Sequence, residues 1–356
     1  MKFRTAIVYL TLTSPAMAQG FAGLGSDAEG FTIPRPGIAF EFPRDHGAHP
    51  DFRIEWWYVT ANLQSTDGQD YGAQWTLFRA ALAPAEKPGW QSPQLWMGHA
   101  ALTSKHNHFV AERLSRGGIG QAGVSAQPFV AHIDNWKMKS AASVGMDEIS
   151  ILDLHAAGTD FAYDLRLAAG GPIAAHGQGG YSVKSTQGQA SYYYSQPSYE
   201  VTGSITTMQG KINVTGVAWL DREWSSQPLT ADQSGWDWFA FHFDDGTKLM
   251  GYRFRDSAEG YTSGTFINKE GQPEPLVPGA LKVTPLETAR VADRDIAVRW
   301  RVELAGKHID VTTRALNPQS WMNTQVPYWE GPVTLEGSHG GKGYVEMTGY
   351  ANDLNK

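Results

Sequence analysis

Apolar and polar residues alternate along most of this chain. Between 296 and 304, Ile296, Val298, Trp300, Val302 and Leu304 fall on one side of an extended backbone, and Arg299, Arg301 and Glu303 on the other. That is the period of a strand with one wet face. Ala305-Gly306-Lys307 then leads into "HIDVTTRAL", which predicts a hairpin. Phe161, Tyr163, Leu165 and Leu167 alternate in the same way, and Gly170-Gly171-Pro172 ends that strand. No long stretch carries a 3.6-residue period, and "TPLETARVADRD" (284 to 295) is expected to hold at most a short turn of helix.

The stretch "WDWFAFHF" (236 to 243) is apolar on both faces, with Trp236, Trp238, Ala240 and His242 on one and Asp237, Phe239, Phe241 and Phe243 on the other. Such a strand is packed on both sides, as in a barrel whose interior is filled or ligand-lined and whose outside is covered. Its order of aromatic pair, strand, Asp-Gly turn and return strand ending in Arg repeats that of "EWWYVTANLQSTDGQDYGAQWTLFR" (55 to 79). Two copies about 180 residues apart predict tandem domains rather than a solenoid, whose period would be about 20 to 50. The seam is expected near Pro197, because proline does not sit inside a central strand. The expected organisation is therefore all-β, with two antiparallel β-barrels at 38–196 and 197–356 behind an N-terminal segment at 19–37.

Composition narrows the function classes. Residues 1 to 18 carry Lys2 and Arg4, an uncharged stretch from Thr5 to Thr13, and Ala16-Met17-Ala18, the pattern of a cleaved secretory signal. A periplasmic or secreted protein is expected, without a lipid anchor, since the chain has no cysteine. No other run reaches the length of about 20 apolar residues that spans a bilayer, so no stable membrane insertion is expected. Loss of Lys2 and Arg4 takes the formal charge from -7 to -9, which disfavours nucleic acid as a partner. With no cysteine there is neither a disulfide nor a thiolate metal site, and stability must come from a core. Thirteen Trp, 14 Tyr and 15 Phe beside 39 Gly suit aromatic-rich strands joined by glycine turns.

The segments "FPRDHGAHPDFRIEWWYVTANL", "GQGGYSVKS", "VTGVAWLDREW", "GWDWFAFHFDDGTKLMGYRFRD" and "YWEGPVTLEGSHGGKGYVEMTGY", in this order, resemble the AttH-like family, which includes the carotenoid 1,2-hydratases (hydroxyneurosporene synthase-like) and many exported proteins labelled only as hydrolases. The resemblance spans roughly residues 38 to 350. It implies two lipocalin-like (calycin) barrels in tandem, and members that hydrate isoprenoid double bonds or cyclise or isomerise lipophilic substrates. A shared fold does not transfer a reaction.

The residues supply their own candidates. In "TGVAWLDREW" (215 to 224), a strand puts Trp219, Asp221 and Glu223 on one face and Leu220, Arg222 and Trp224 on the other. Two nearby buried carboxylates do not both ionise cheaply, so one holds a proton at neutral pH. An acid of that kind beside an indole can protonate an alkene, with the aromatic face stabilising the cation and the second carboxylate orienting water. The competing reading is a cluster of ion pairs through Arg222 that ties strands together at a barrel rim. Glu55 is a second acid among aromatics, either catalytic or paired with Arg53 or Arg79. Trp56 and Tyr58 share the opposite face and are expected to line a cavity of the first barrel. His46 and His49 in "DHGAHP" are candidates for a proton shuttle at a cavity mouth, or for loop hydrogen bonding, and do not have the three convergent ligands of a metal site. His242 shares a face with Trp238 and is a candidate partner for Asp221 or Glu223, or a satisfied core histidine.

Cofactor motifs fail on context. "GIGQAG" (118 to 123) fits GxGxxG, but Pro128 follows where a helix would have to open. The chain has no GxSxG, HExxH or Walker A sequence, so neither a cofactor nor a metal is expected. The expected partner is a lipophilic small molecule, isoprenoid or polyketide-like, that the protein hydrates, dehydrates or isomerises by carboxylate acid catalysis. A non-catalytic carrier is the alternative and a hydrolase the third reading.

Overall fold

The computed structural model describes residues 28–227 and 229–350. The secretory leader read from residues 1 to 18 lies outside them. The first sheet contains β1 (Ile54–Ser65), β2 (Asp70–Ala81), β3 (Gln94–Ser104), β4 (His108–Arg116), β5 (Ala122–Ala126), β6 (Phe129–Ile133), β7 (Trp136–Ser140), β8 (Ile151–Ala157), β9 (Phe161–Ala169), β10 (Ala174–Ala175), β11 (Tyr181–Val183), β12 (Ala190–Thr207) and β13 (Gly210–Ser225). The second contains β14 (Gly235–Phe243), β15 (Lys248–Arg255), β16 (Tyr261–Ile267), β17 (Pro273–Pro275), β18 (Lys282–Val291), β19 (Arg294–Leu304), β20 (Ile309–Ala315), β21 (Trp321–Met322), β22 (Tyr328–Gly337) and β23 (Gly341–Met347). All pairings between these strands are antiparallel.

The two sheets repeat one topology. The first runs β4-β3-β2-β1-β13-β12-β9-β8-β7-β6-β5 and curls until β4 packs on β6, a nearly closed barrel. The second runs β17-β16-β15-β14-β23-β22-β20-β19-β18, a half-barrel. In each, the opening strand pairs with the second strand on one side and with the last strand of its own sheet on the other. This places β1 and β14, which carry Trp57 and Trp238, at equivalent positions, as the repeated aromatic pattern predicts.

Strand pairing moves the boundary between the halves from Pro197 to the segment between Ser225 and Gly235. β12 and β13 form a long hairpin that pairs with β9 and β1 of the first sheet. Pro197 lies within β12, where the register slips between Gln196 and Tyr199. A bulge leaves a residue outside the ladder, so a proline there costs no hydrogen bond. The expected helical turn at 284 to 295 is also replaced by strand. β18 pairs along β19 with two register shifts, and the chain reverses at Ala292 and Asp293, both at positive φ. The predicted Asp67-Gly68 and Asp245-Gly246 turns are present, with φ of 84° and 91° at the glycines.

Both barrels are filled. Trp57, Val59, Trp75, Leu77, Trp136, Tyr163 and Trp224 pack inside the first, and Phe239, Phe241, Trp300, Val302 and Trp329 inside the second. A third apolar cluster joins the outer faces of the two sheets through Tyr58, Tyr193, Trp219, Trp238, Ala240, Tyr252, Phe254 and Tyr344. The double-sided strand β14 is thus packed against its own barrel on one face and against its neighbour on the other.

Candidate functional site

The alternation of β13 answers what three consecutive charges do between Trp219 and Trp224. Arg222 points into the first barrel, where its guanidinium lies 3.8 Å from the Trp57 ring and donates to Glu55 at 2.7 Å. Asp221 and Glu223 point the other way, into a cavity of about 690 Å³ between the barrels. Its aromatic walls come from both halves, with Trp56, Tyr58, Phe78 and Tyr193 facing Trp236, Trp238, Tyr252 and Phe254. Leu82 and Leu114, both exposed, line its rim. A volume in the range of about 300–1,000 Å³ with apolar walls and few polar groups suits a small lipophilic molecule.

The acids in this cavity are held in contrasting ways. Asp221 is 2% exposed, and as the carboxylate it accepts hydrogen bonds from Trp219 Nε1 at 2.6 Å and from Ser195 Oγ on Oδ1, and from Tyr193 Oη on Oδ2 at 2.7 Å, the last of which reverses when Oδ2 carries a proton. Burial pushes its carboxyl up to about 7, against the pull of the Ser195, Tyr193 and Trp219 donors and with the help of the Glu223 charge. Glu223 meets Lys184 Nζ at 2.9 Å and the Ser191 hydroxyl. Lys184 is itself buried, with Nζ 4.7 Å and 4.4 Å from the ring centroids of Tyr193 and Tyr252. From the second barrel, Glu346 accepts from Trp236 Nε1 at 2.6 Å. Burial raises it to about 7, opposed by Trp236 and assisted by the charges of Asp221 and Glu223. Behind the wall, Glu330 accepts from Tyr58 Oη at 2.5 Å, and burial followed by the Glu346 charge pushes it well above the usual range.

The candidates named from sequence separate into two groups. Asp221, Glu223, Trp56, Tyr58 and Trp238 meet at the cavity, which Glu55 also lines. Trp56 and Tyr58 do so on the outside of the first barrel, not within it, because the interior face of β1 belongs to Trp57 and Val59. Trp219 does not line the cavity. It lies behind Asp221 as a hydrogen-bond donor, and the aromatic face toward a ligand is supplied by Trp238 and Tyr193. His242 hydrogen-bonds the Pro197 carbonyl at 2.8 Å rather than either acid, and burial lowers it to about 4.

Glu55, His46 and His49 belong to the end of the first barrel. Glu55 is gripped by Arg79, Arg222 and His49, and though burial opposes it, the charges of Arg79 and Arg222 hold it well below the usual carboxylate range. It therefore has no proton to give. His49 stacks on Trp224 at 4.0 Å and bridges Glu55 to Asp45, while His46 sits between Tyr194 Oη at 2.7 Å and Asp147 at 3.2 Å. Neither histidine lines the cavity. Asp237 repeats the Glu55 arrangement in the second barrel, paired with Arg253 and Arg255 at 2.7 and 2.5 Å.

Sequence reasoning missed Lys184, Tyr193, Ser195, His176 and Glu346. The signal for two of them was in "SYYYS" (191 to 195), whose alternation sets Ser191, Tyr193 and Ser195 on one face; the register places Tyr193 opposite Glu223 and Ser195 opposite Asp221. A domain seam drawn at Pro197 hid that hairpin.

Residues 33 to 350 match the AttH-like family profile. The chain belongs to the AttH-like family. Its structure is similar to that of an AttH-type protein from Nitrosomonas europaea, 31% identical, with a TM-score of 0.79 over 90% of this chain and 100% of that one. Kievitone hydratase from Nectria haematococca shares the fold at 16% identity and a TM-score of 0.65, over 91% of this chain and 98% of that one. CghA, solved with Sch210972, is related more distantly, at 13% identity and a TM-score of 0.51, over 84% and 89% of the two chains. No curated protein sequence matches. In this AttH-like chain the tandem lipocalin-like architecture expected from the resemblance is present, with the cavity between the barrels.

Proposed function

We propose that this protein binds an isoprenoid or polyketide-like molecule between its barrels and hydrates, dehydrates or isomerises it by carboxylate acid catalysis. The observation that carries this reading is Asp221, a carboxyl poised to hold a proton up to about pH 7 at the wall of a large aromatic cavity. A proton from Asp221 adds to a carbon–carbon double bond, and the rings of Trp238 and Tyr193 face the cation. Glu223 and Glu346 are placed to orient the water that captures it. Likeness in fold to a protein named as a hydratase is consistent with this chemistry. An exported location is part of the reading and rests on the leader-like residues 1 to 18; N-terminal sequencing of the mature protein tests it.

The test for function is incubation with geranylgeraniol in heavy water, followed by mass spectrometry for hydrate and for deuterium in the recovered alkene. Wild type is expected to yield one or both, and Asp221→Asn to lose about 10²-fold or more in rate, the scale of a missing general acid. Tryptophan quenching by the same probe should persist in the variant, because Trp56, Trp236 and Trp238 line the cavity. Quenching by wild type without hydration or exchange, across geranylgeraniol and a set of polyketides, would establish a carrier instead.

A further inference from the structure

We infer that Tyr193 is the group that hands the proton to the substrate, in a relay in which Asp221 reloads the tyrosine as it fires. This deepens the proposed reaction and rests on that reading. The inference comes from which oxygen of Asp221 can carry the proton. An indole N–H donates and never accepts. At 2.6 Å from Trp219 Nε1, Oδ1 is a strong acceptor, the carbonyl oxygen of a protonated carboxyl rather than its hydroxyl. The polar chain behind it runs in the same sense. Thr265 Oγ1 lies 2.9 Å from His176 Nδ1, His176 Nε2 lies 2.6 Å from Ser195 Oγ, and Ser195 Oγ contacts Oδ1. With His176 protonated on Nε2 alone, Thr265 donates to His176, His176 to Ser195, and Ser195 to Asp221. Burial, and then the charge of Lys184, hold His176 in that neutral form.

The acidic proton is then on Oδ2, whose hydrogen-bond partner among the described residues is Tyr193 Oη at 2.7 Å. Tyr193 Oη accepts this proton and also accepts from Trp238 Nε1 at 3.2 Å. With both acceptor positions of the hydroxyl taken, its own hydrogen has to point elsewhere, and Tyr193 lines the cavity. The Tyr193 O–H bond breaks toward an alkene carbon as the Asp221 O–H bond breaks toward Tyr193 Oη. The π pair becomes the new C–H bond, the tyrosine ends neutral, and Asp221 ends as the carboxylate. The proton released when water captures the cation returns to Asp221 by the reverse path. Tyr193 does not pass through a free phenolate, which burial and the charges of Asp221 and Glu223 make costly.

The test uses the full chain, geranylgeraniol in mixtures of light and heavy water, and two variants at position 193. Tyr193→Phe keeps the ring and removes the hydroxyl, and is expected to lower exchange or hydration by about 10²-fold or more with quenching by the probe unchanged. In wild type, rate against deuterium fraction should curve, as two protons in flight require. Replacement of Tyr193 by 3-fluorotyrosine preserves the hydrogen bonds and should keep the curved dependence and most of the rate, which separates chemistry from a folding defect. Full activity of Tyr193→Phe with Asp221→Asn inactive would overturn the relay and leave Asp221 as direct donor. So would a linear dependence in wild type. Absence of any reaction in wild type would overturn the parent reading, and the relay with it.

Discussion

Asp221 links chemistry and stability through one proton, with opposite preferences in pH. Its partners are Ser195, Tyr193 and Trp219, and the charged groups facing it are Glu223, with its ion-pair partner Lys184, and Glu346. Folding raises its carboxyl from an ordinary 3.8 to about 7, so between those values the folded state holds a proton that the unfolded chain has released. Stability from this group is complete below pH 4, falls as pH rises toward 7, and stays low above it. Roughly three pH units correspond to on the order of 4 kcal/mol. An asparagine amide at this position offers its oxygen to Trp219 and Ser195 and its N–H to Tyr193, as the protonated acid does, and never ionises. Asp221→Asn is therefore expected to melt higher than wild type at pH 8, with the gap closing at pH 4, in parallel calorimetric scans. A lower melting temperature at pH 8 would mean that the charged carboxylate stabilises the fold. Turnover has the same dependence in wild type, and kcat/KM is expected to fall about tenfold per unit above pH 7.

At the scale of one strand, alternation on β13 assigns neighbouring residues to different tasks, and this much was legible in the sequence. Period two places Asp221 and Glu223 together and Arg222 apart, whatever the partners turn out to be. The partners were not legible, because they come from β1, β12 and the residue after β11 through strand order, which no local pattern encodes. Glu55 looked like a second acid because its sequence neighbours are aromatic, yet Arg79 faces it across the β1–β2 ladder and Arg222 reaches it from β13. His242 pointed to the correct side of β14 but lies behind Trp219, at a ring separation of 5.6 Å, and a face assignment does not give depth. The same division predicts opposite phenotypes for the acids on the two sides of β13. Glu55→Gln leaves the buried guanidinium groups of Arg79 and Arg222 without their shared countercharge, which should cost about 3–5 kcal/mol in denaturant unfolding. The surviving folded protein should still bind geranylgeraniol with wild-type affinity. Weakened binding in the fully folded variant would show that the Glu55 carboxylate serves the ligand as well as the two guanidinium groups.

For the whole molecule, the repeat was readable and the location of the site was not. Two aromatic copies implied two barrels, but a lipocalin-like chain suggests a ligand inside a barrel, whereas here tryptophans fill both interiors and the ligand space is left between them. What fixes that space is the docking of one outer face on the other, through His176 to Thr265 and Asn62 Nδ2 to the Gly343 carbonyl, and through close backbone approach at Gly72. Gly72 lies on the outward face of β2, and a Cβ there would fall 2.6 Å from Pro332 Cγ and collide with the Tyr344 hydroxyl. Both obstacles are in the second barrel, on β22 and β23, and proline cannot swing aside. Gly72→Ala should therefore wedge the barrels apart, with a loss of about 1–3 kcal/mol, typical of overpacking. Each 1.4 kcal/mol of that strain felt at the cavity should weaken geranylgeraniol binding about tenfold in a tryptophan-quenching titration. Gly123→Ala is the matched control, since a Cβ there meets only His132 Cε1 at 3.7 Å, an ordinary contact within the first barrel. Equal binding by both variants would show that the cavity does not depend on how the barrels are docked, and would return the search for the ligand to one barrel alone.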